Sequence, residues 1–258
     1  MAINPRERNK DHIAGLSKGL RVMEAFDTMY TRMTITEAGK RTGLSVASAR
    51  RCLMTLCDVG YMDTDGKRFW LTHGVLRLAY AYSASTRLPR LIQPILDALS
   101  ERGRDSASLI VLFDDAAVIA ARSTARRTLR VGLVIGSRLP IYCSAAGRVL
   151  LAALPAERAN GILKLSERQQ LTLNTVTEMS KLKLILEQCR RNGYAICDEE
   201  IEIGVRSISI PLINEEGTTI AAISMSTRAD PMTISEVIET YLPALRNHQA
   251  WVQRRLTA

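Results

Sequence analysis

Two groups of residues in this chain have types and spacings that suit ligand chemistry. The first is Ser144-Ala145-Ala146-Gly147, a hydroxyl and three small residues where a helix should begin. Free backbone N–H groups at a helix N-terminus, helped by the helix dipole, hold anions, and small side chains let a carboxylate come close. The same residues equally suit a capped helix packed on a sheet. Cys143 stands just before them; its thiol is reactive if the helix start lowers its pKa and inert if buried. The second group is spread over three predicted strands. Cys197 and Asp198 close one, Ser207 lies early in the next, and Ser224 and Ser226 alternate along the last. Hydroxyls at period two on a buried strand need partners. A polar ligand is one answer and backbone carbonyls are the other.

Enzymatic chemistry finds little support. The three His residues stand far apart, at 12, 73 and 248. No G-x-S-x-G elbow and no Gly-rich phosphate loop occurs. Metal-ligand spacing is absent, so no metal and no cofactor is expected. A Cys143 nucleophile is the one enzymatic reading the residues leave open.

A third group suits nucleic acid. Thr34 with Glu37 is a capping box, so a short helix should start at Ile35 and stop at Gly43. Ser45 can cap a second helix that runs to about Val59, with Gly60 as its stop. Two short helices around a Gly turn are a helix-turn-helix. On the second helix Val46, Ala49, Leu53 and Leu56 fall on one side, with Cys52 and Cys57 at the margins. Ala47, Ser48, Arg51 and Thr55 fall on the other, and Arg50 lies at the boundary. Small residues, hydroxyls and a guanidinium suit a helix entering a major groove. Residues 61–63 and 69–71 read as two strands joined by an Asp-Gly turn. Lys67 and Arg68 at its tip suit phosphate contact, with Ser45 and Arg50 as further candidates. Helix-turn-helix plus hairpin makes a winged helix. Many helical hairpins bind only protein, which is the rival reading.

The remaining elements must position these groups. Leu16, Leu20, Met23 and Phe26 recur at helical spacing and predict a first helix before the capping box. Arg6, Arg8 and Lys10 precede it in a polar arm. Residues 73–85 read as a connecting helix that Arg87-Leu88-Pro89-Arg90 breaks, and 91–103 as another. A helical linker can carry a rigid-body shift between domains. Strands are predicted over 106–113 and 117–123, then 129–133 beyond a cluster of Arg126, Arg127 and Arg130. Helices follow from Ser144 to before Pro155, over 155–164 and over 181–192, with Gly193 as a stop. Strands are predicted over 194–197, 206–213 and 219–227. Thr233 with Glu236 is a second capping box and opens a final helix to Arg255. The fold class is therefore α+β: a winged helix-turn-helix over 1–72, a linker over 73–86, and an α/β unit with an antiparallel sheet over 87–258.

Composition agrees with this division. The 258 residues carry a net charge of +9, which fits a polyanionic partner. Residues 1–85 hold 13 basic and 8 acidic side chains, against 22 and 18 in the longer remainder. The positive field is denser at the N-terminal side. Five Cys, an odd number without a C-x-x-C, suggest neither a disulfide framework nor a zinc ribbon. No apolar run approaches transmembrane length, and a soluble, cytoplasmic protein is expected.

The chain resembles the IclR family of bacterial transcriptional regulators over nearly its full length. The resemblance rests on the winged helix, on Arg138-Leu139-Pro140 with Ser144-Ala145-Ala146-Gly147, on Asp198-Glu199-Glu200 with Gly204-Val205-Arg206-Ser207, and on Ala222-Ile223-Ser224-Met225-Ser226. Leu139 to Ser144 and Arg50-Arg51-Cys52-Leu53 look like the members that regulate aromatic-acid catabolism (the protocatechuate, 4-hydroxybenzoate and β-ketoadipate group). The resemblance implies a homodimer, in some members paired into tetramers, that binds an operator in double-stranded DNA. It also implies a GAF-like effector domain, in which a small aromatic or dicarboxylic acid sits against Ser144, Ala145, Ala146 and Gly147. Cys197, Asp198, Ser207, Ser224 and Ser226 would surround that acid. The family often has Asp where this chain has Cys197 and Cys where it has Ser207, departures that bear on which ligand is taken.

Overall fold

The computed structural model describes residues 11–124, 132–230 and 232–256. The chain divides into two compact units, one ending at Ser85 and the other beginning at Thr86. The arm residues Arg6, Arg8 and Lys10, and Arg126, Arg127 and Arg130, lie outside the described residues, as does most of the strand expected over 129–133.

The first unit opens with α1 (Ala14–Glu24), α2 (Ile35–Thr42) and α3 (Val46–Asp58). The Thr34 box closes both ways: Thr34 N–H donates to Glu37 Oε2 at 2.7 Å, and Glu37 N–H to Thr34 Oγ1 at 3.3 Å. Gly43, at φ 68°, adopts the left-handed turn that stops α2. Ser45 Oγ then accepts the Ser48 N–H and starts α3. Strands β1 (Met62–Thr64) and β2 (Phe69–Leu71) make the wing, one residue later at β1 than expected. Phe69 exchanges two backbone hydrogen bonds with Met33, so the wing is fastened to the segment before α2. Val22, Met33, Ala38, Leu53, Met62 and Phe69 form the core. A single turn, His73–Val75, leads to α4 (Leu76–Ser85), which has no buried residue.

The first helix forms as expected, with Leu16 and Leu20 62% and 44% exposed, because α1 turns Val22 to the core and leaves the Leu stripe outside. Val46 is 55% exposed. It is the first residue of α3, where the close approach of α2 at Gly39 meets its Cα and leaves its side chain beyond the core.

The second unit begins with α5 (Arg87–Gly103). Pro89 does not break this helix. It sits in the first turn, where its missing N–H would have had no partner in any case. A six-stranded antiparallel sheet follows, built from β3 (Ser106–Phe113), β4 (Ala116–Thr124), β5 (Arg138–Leu139), β6 (Ala195–Asp198), β7 (Val205–Ile213) and β8 (Thr219–Arg228). Its spatial order is β5-β4-β3-β8-β7-β6. Helices α6 (Ala145–Ala152), α7 (Ala156–Leu165) and α8 (Met179–Asn192) lie between β5 and β6 in sequence. Helix α9 (Ile234–Leu256) ends the unit behind the Thr233–Glu236 box. Alternation splits the strand residues between two cores. Leu109, Ile208, Ile210, Ile223 and Met225 pack with α5 and α9. Ile110, Ile119, Ala195 and Ala222 pack with α6, α7 and α8.

Candidate functional site

Two surfaces gather the residues that the sequence singles out. The first is the outer side of α3 with the wing. Ala47, Arg50, Arg51 and Thr55 are exposed and Ser48 is half-buried. Ser45 is exposed, with its hydroxyl 3.1 Å from Ser48 Oγ as part of the cap. At the wing tip, Asp65 Oδ1 accepts the N–H groups of Lys67 and Arg68 at 2.9 and 2.7 Å. Those bonds fix the turn and leave both cationic side chains in solvent. Arg32, not anticipated as part of this face, stacks on the ring of Trp70 in β2 at 4.1 Å. One feature of this side was not legible in the sequence. Ser48, Arg51 and Thr55 also line an apolar trough of about 690 Å³, which Leu16, Leu20, Met23, Val59 and Leu78 share.

The second surface is a cavity between α6 and the sheet. Its wall includes Ser144, Ala145, Ala146, Cys197, Ser207, Ser224 and Ser226, which the sequence nominates. Its free volume is about 50 Å³, room for a few waters. Pairing register explains why the strand residues converge. Cys197 stands opposite Ser207, and Ser207 opposite Ser226. Ser226 stands opposite Ser106. A parallel row runs through Ser209, Ser224, Ser108 and Arg122. Cross-strand partners share a face, so both rows point to α6.

Two nominated residues do not reach the cavity wall. Asp198 follows Cys197 in the same strand, so alternation turns it to the opposite face. There its Oδ1 accepts from Arg206 Nε at 2.5 Å. Gly147 serves packing: a Cβ on it would stand 2.3 Å from the Ile141 carbonyl oxygen. Three polar wall residues were missed, Ser108, Arg122 and Glu202, together with an apolar lining that includes Ile110, Ile119 and Val205. Ser106-Ala107-Ser108 and Ser207-Ile208-Ser209 carry the same Ser-x-Ser alternation as Ser224-Met225-Ser226, and that signal was available.

A buried ion pair holds the cavity's frame. Arg148 of α6 grips Glu200 with both arms of its guanidinium, at 2.5 and 2.7 Å. Its Nε and Nη1 also donate to the carbonyls of Tyr142 and Ile196. Glu200 Oε2 accepts the Val176 N–H at 3.0 Å. The two charged side chains are 3% and 8% exposed. This network ties the start of α6 to the loop that carries Ile201 and Glu202.

The thiols in this region are quiet. Burial pushes Cys143 up to about 12 and Cys197 up to about 11. Cys197 Sγ donates to the Cys143 carbonyl at 2.8 Å. Among the described residues no cluster of His, Cys, Asp or Glu could hold a metal ion. No described helix is long and apolar enough to cross a membrane.

Comparison with known proteins gives these two surfaces a common setting. The p-hydroxybenzoate hydroxylase transcriptional activator of Acinetobacter baylyi is 37% identical over 93% of this chain and 90% of that protein. A solved transcriptional regulator from a Rhodococcus species is 35% identical, covers 95% of this chain and 99% of its own, and superposes with a TM-score of 0.79. A homologue from Microbacterium hydrocarbonoxydans, solved with 4-hydroxybenzoate, has the same fold at 24% identity, covering 94% and 99%, with a TM-score of 0.76. Residues 15–66 match the IclR helix-turn-helix domain, and residues 80–253 match the C-terminal domain of bacterial transcriptional regulators of the IclR type. With a helix-turn-helix unit followed by a ligand-binding unit, the chain belongs to the IclR family of transcriptional regulators.

Proposed function

We propose that this regulator controls an operon for aromatic-acid breakdown and that a small aromatic carboxylate sets its grip on the operator. In this reading residues 1–72 bind DNA, 73–86 link, and 87–258 hold the effector. Ala47, Ser48, Arg51 and Thr55 read base edges, while Ser45, Arg50, Lys67 and Arg68 hold phosphates. The exposed polar side of α3 carries this assignment. The likeness to a p-hydroxybenzoate-pathway activator supports the choice of acid.

The effector half rests on the cavity. At about 50 Å³ it is smaller than a ring acid, so occupancy pushes its wall outward. A ligand that prefers the opened wall shifts the protein between states by ~1–3 kcal/mol, a typical coupling energy. A homodimer on a palindromic operator follows from the same reading, with half-sites about one helical turn apart or a multiple of it. Exposed Leu16, Leu20, Leu76, Leu78 and Tyr80 in the first unit supply an apolar surface that a second copy would cover. The buried, weakly acidic Cys143 is the reverse of an activated nucleophile, which speaks against the enzymatic reading.

Arg51→Ala tests the DNA half. We expect it to weaken specific operator binding in a gel-shift assay by roughly 10- to 100-fold while melting stays unchanged. Unaltered operator affinity would remove Arg51 from the base-reading set.

A further inference from the structure

Among the described wall residues of the cavity in the second unit, Arg122 of β4 is the cation. Arg122 Nη1 donates to Ser108 Oγ at 3.0 Å, and its Nε to Thr124 Oγ1 at 3.2 Å. No described carboxylate lies within ion-pair distance of it. The adjoining segment 125–131 contains no Asp or Glu. Burial alone pushes its pKa down from the ordinary arginine range. A half-buried guanidinium held by two neutral hydroxyls has unused donors and an uncompensated charge.

The row beside it points the same way. Ser108, Ser224 and Ser209 stand next to Arg122 in register across four strands. Ser209 is fully buried, and its Oγ has no hydrogen-bond partner among the described residues. The α6 start, with Ala145 and Ala146 on the wall, faces this row. Glu202 is the carboxylate among the described wall residues, and no ion pair joins it to Arg122.

We propose that Arg122 is the carboxylate anchor of the effector. This rests on the effector reading above and makes it specific. The guanidinium fork matches a planar carboxylate, and the low-dielectric cavity strengthens the pairing.

Calorimetric titration of the full chain with 4-hydroxybenzoate and 4-hydroxybenzamide tests this. The parent should take 4-hydroxybenzoate over its neutral amide by roughly 10- to 100-fold. R122M should bind acid and amide alike. R122K, which keeps the charge without the fork, should fall between and covers the case in which R122M does not fold. An acid preference that survives in R122M overturns the anchor and leaves the effector reading standing. A parent that takes up neither aromatic probe overturns the effector reading itself.

Discussion

Removing Arg148 should expose how far the second unit depends on one buried ion pair. In Arg148→Met the Glu200 carboxylate stays buried and keeps only the Val176 N–H. It loses a two-armed partner at 2.5 and 2.7 Å, and the carbonyls of Tyr142 and Ile196 lose their donors. Breaking such a pair from one side costs about 3–5 kcal/mol. For a unit of this size that is a fall in Tm of roughly 6–20 °C. Pairing Arg148→Met with Glu200→Gln removes the stranded charge, keeps an acceptor for Val176 and supplies an amide donor. Most of the loss should return. Trp251 packs against the α5–α9 core, so its fluorescence in a Trp70→Phe background reports this unit alone during urea unfolding. A loss below about 1 kcal/mol, or a double variant no better than the single one, would refute the argument.

Gly147→Ala should destabilise the same unit by ~1–3 kcal/mol, because its Cβ would meet rigid backbone at Ile141 and the hydroxyl of the Ser144 cap; the same urea titration reads it, and a neutral result would mean that the start of α6 shifts freely. Thiol labelling of the native protein at pH 8 should modify Cys52 and Cys57, which are partly exposed, well before Cys143, Cys189 and Cys197. Burial holds Cys143 up at about 12, so its thiolate fraction is roughly a thousandfold below that of an ordinary thiol. Mass spectrometry of the labelled peptides checks the order, and early modification of Cys143 would show that the core opens easily.

Local signals in the sequence translated well into local structure. Both capping boxes, the Ser45 cap, the Gly43 and Gly193 stops and the Asp-Gly wing turn all stand where composition puts them. Each is decided within four or five residues, where side-chain and backbone groups choose partners without tertiary help. The connecting helix does stop before Arg87, but residues 87–90 also form the first turn of α5, where a Pro loses no hydrogen bond. The α1 stripe shows a different limit. Leu16, Leu20 and Val22 are all apolar, and periodicity cannot say which of two faces meets a core that forms from α3 and the wing.

The cavity required one thing more than local pattern, the parity of each strand against its neighbours. Cys197 and Asp198 are adjacent, and a single step along β6 separates a wall residue from one that pairs with Arg206 on the other face. Arg122 and Ser108 come together only because β3 and β4 are in one particular register, with a bulge between Leu109 and Ile110 along the way. The same holds for Arg148 and Glu200, which stand 52 residues apart in the chain and grip each other at 2.5 Å. Charge in this unit is therefore arranged by topology. One buried cation is neutralised inside the chain and fixes the frame. Another, Arg122, is left on the wall with hydroxyls for company, so an arriving anion finds a counter-charge that folding has already placed. Arginine to acid pairing thus divides the two cations by role, and that division is what the Arg148 and Arg122 variants separate: loss of stability from one, loss of acid selectivity from the other.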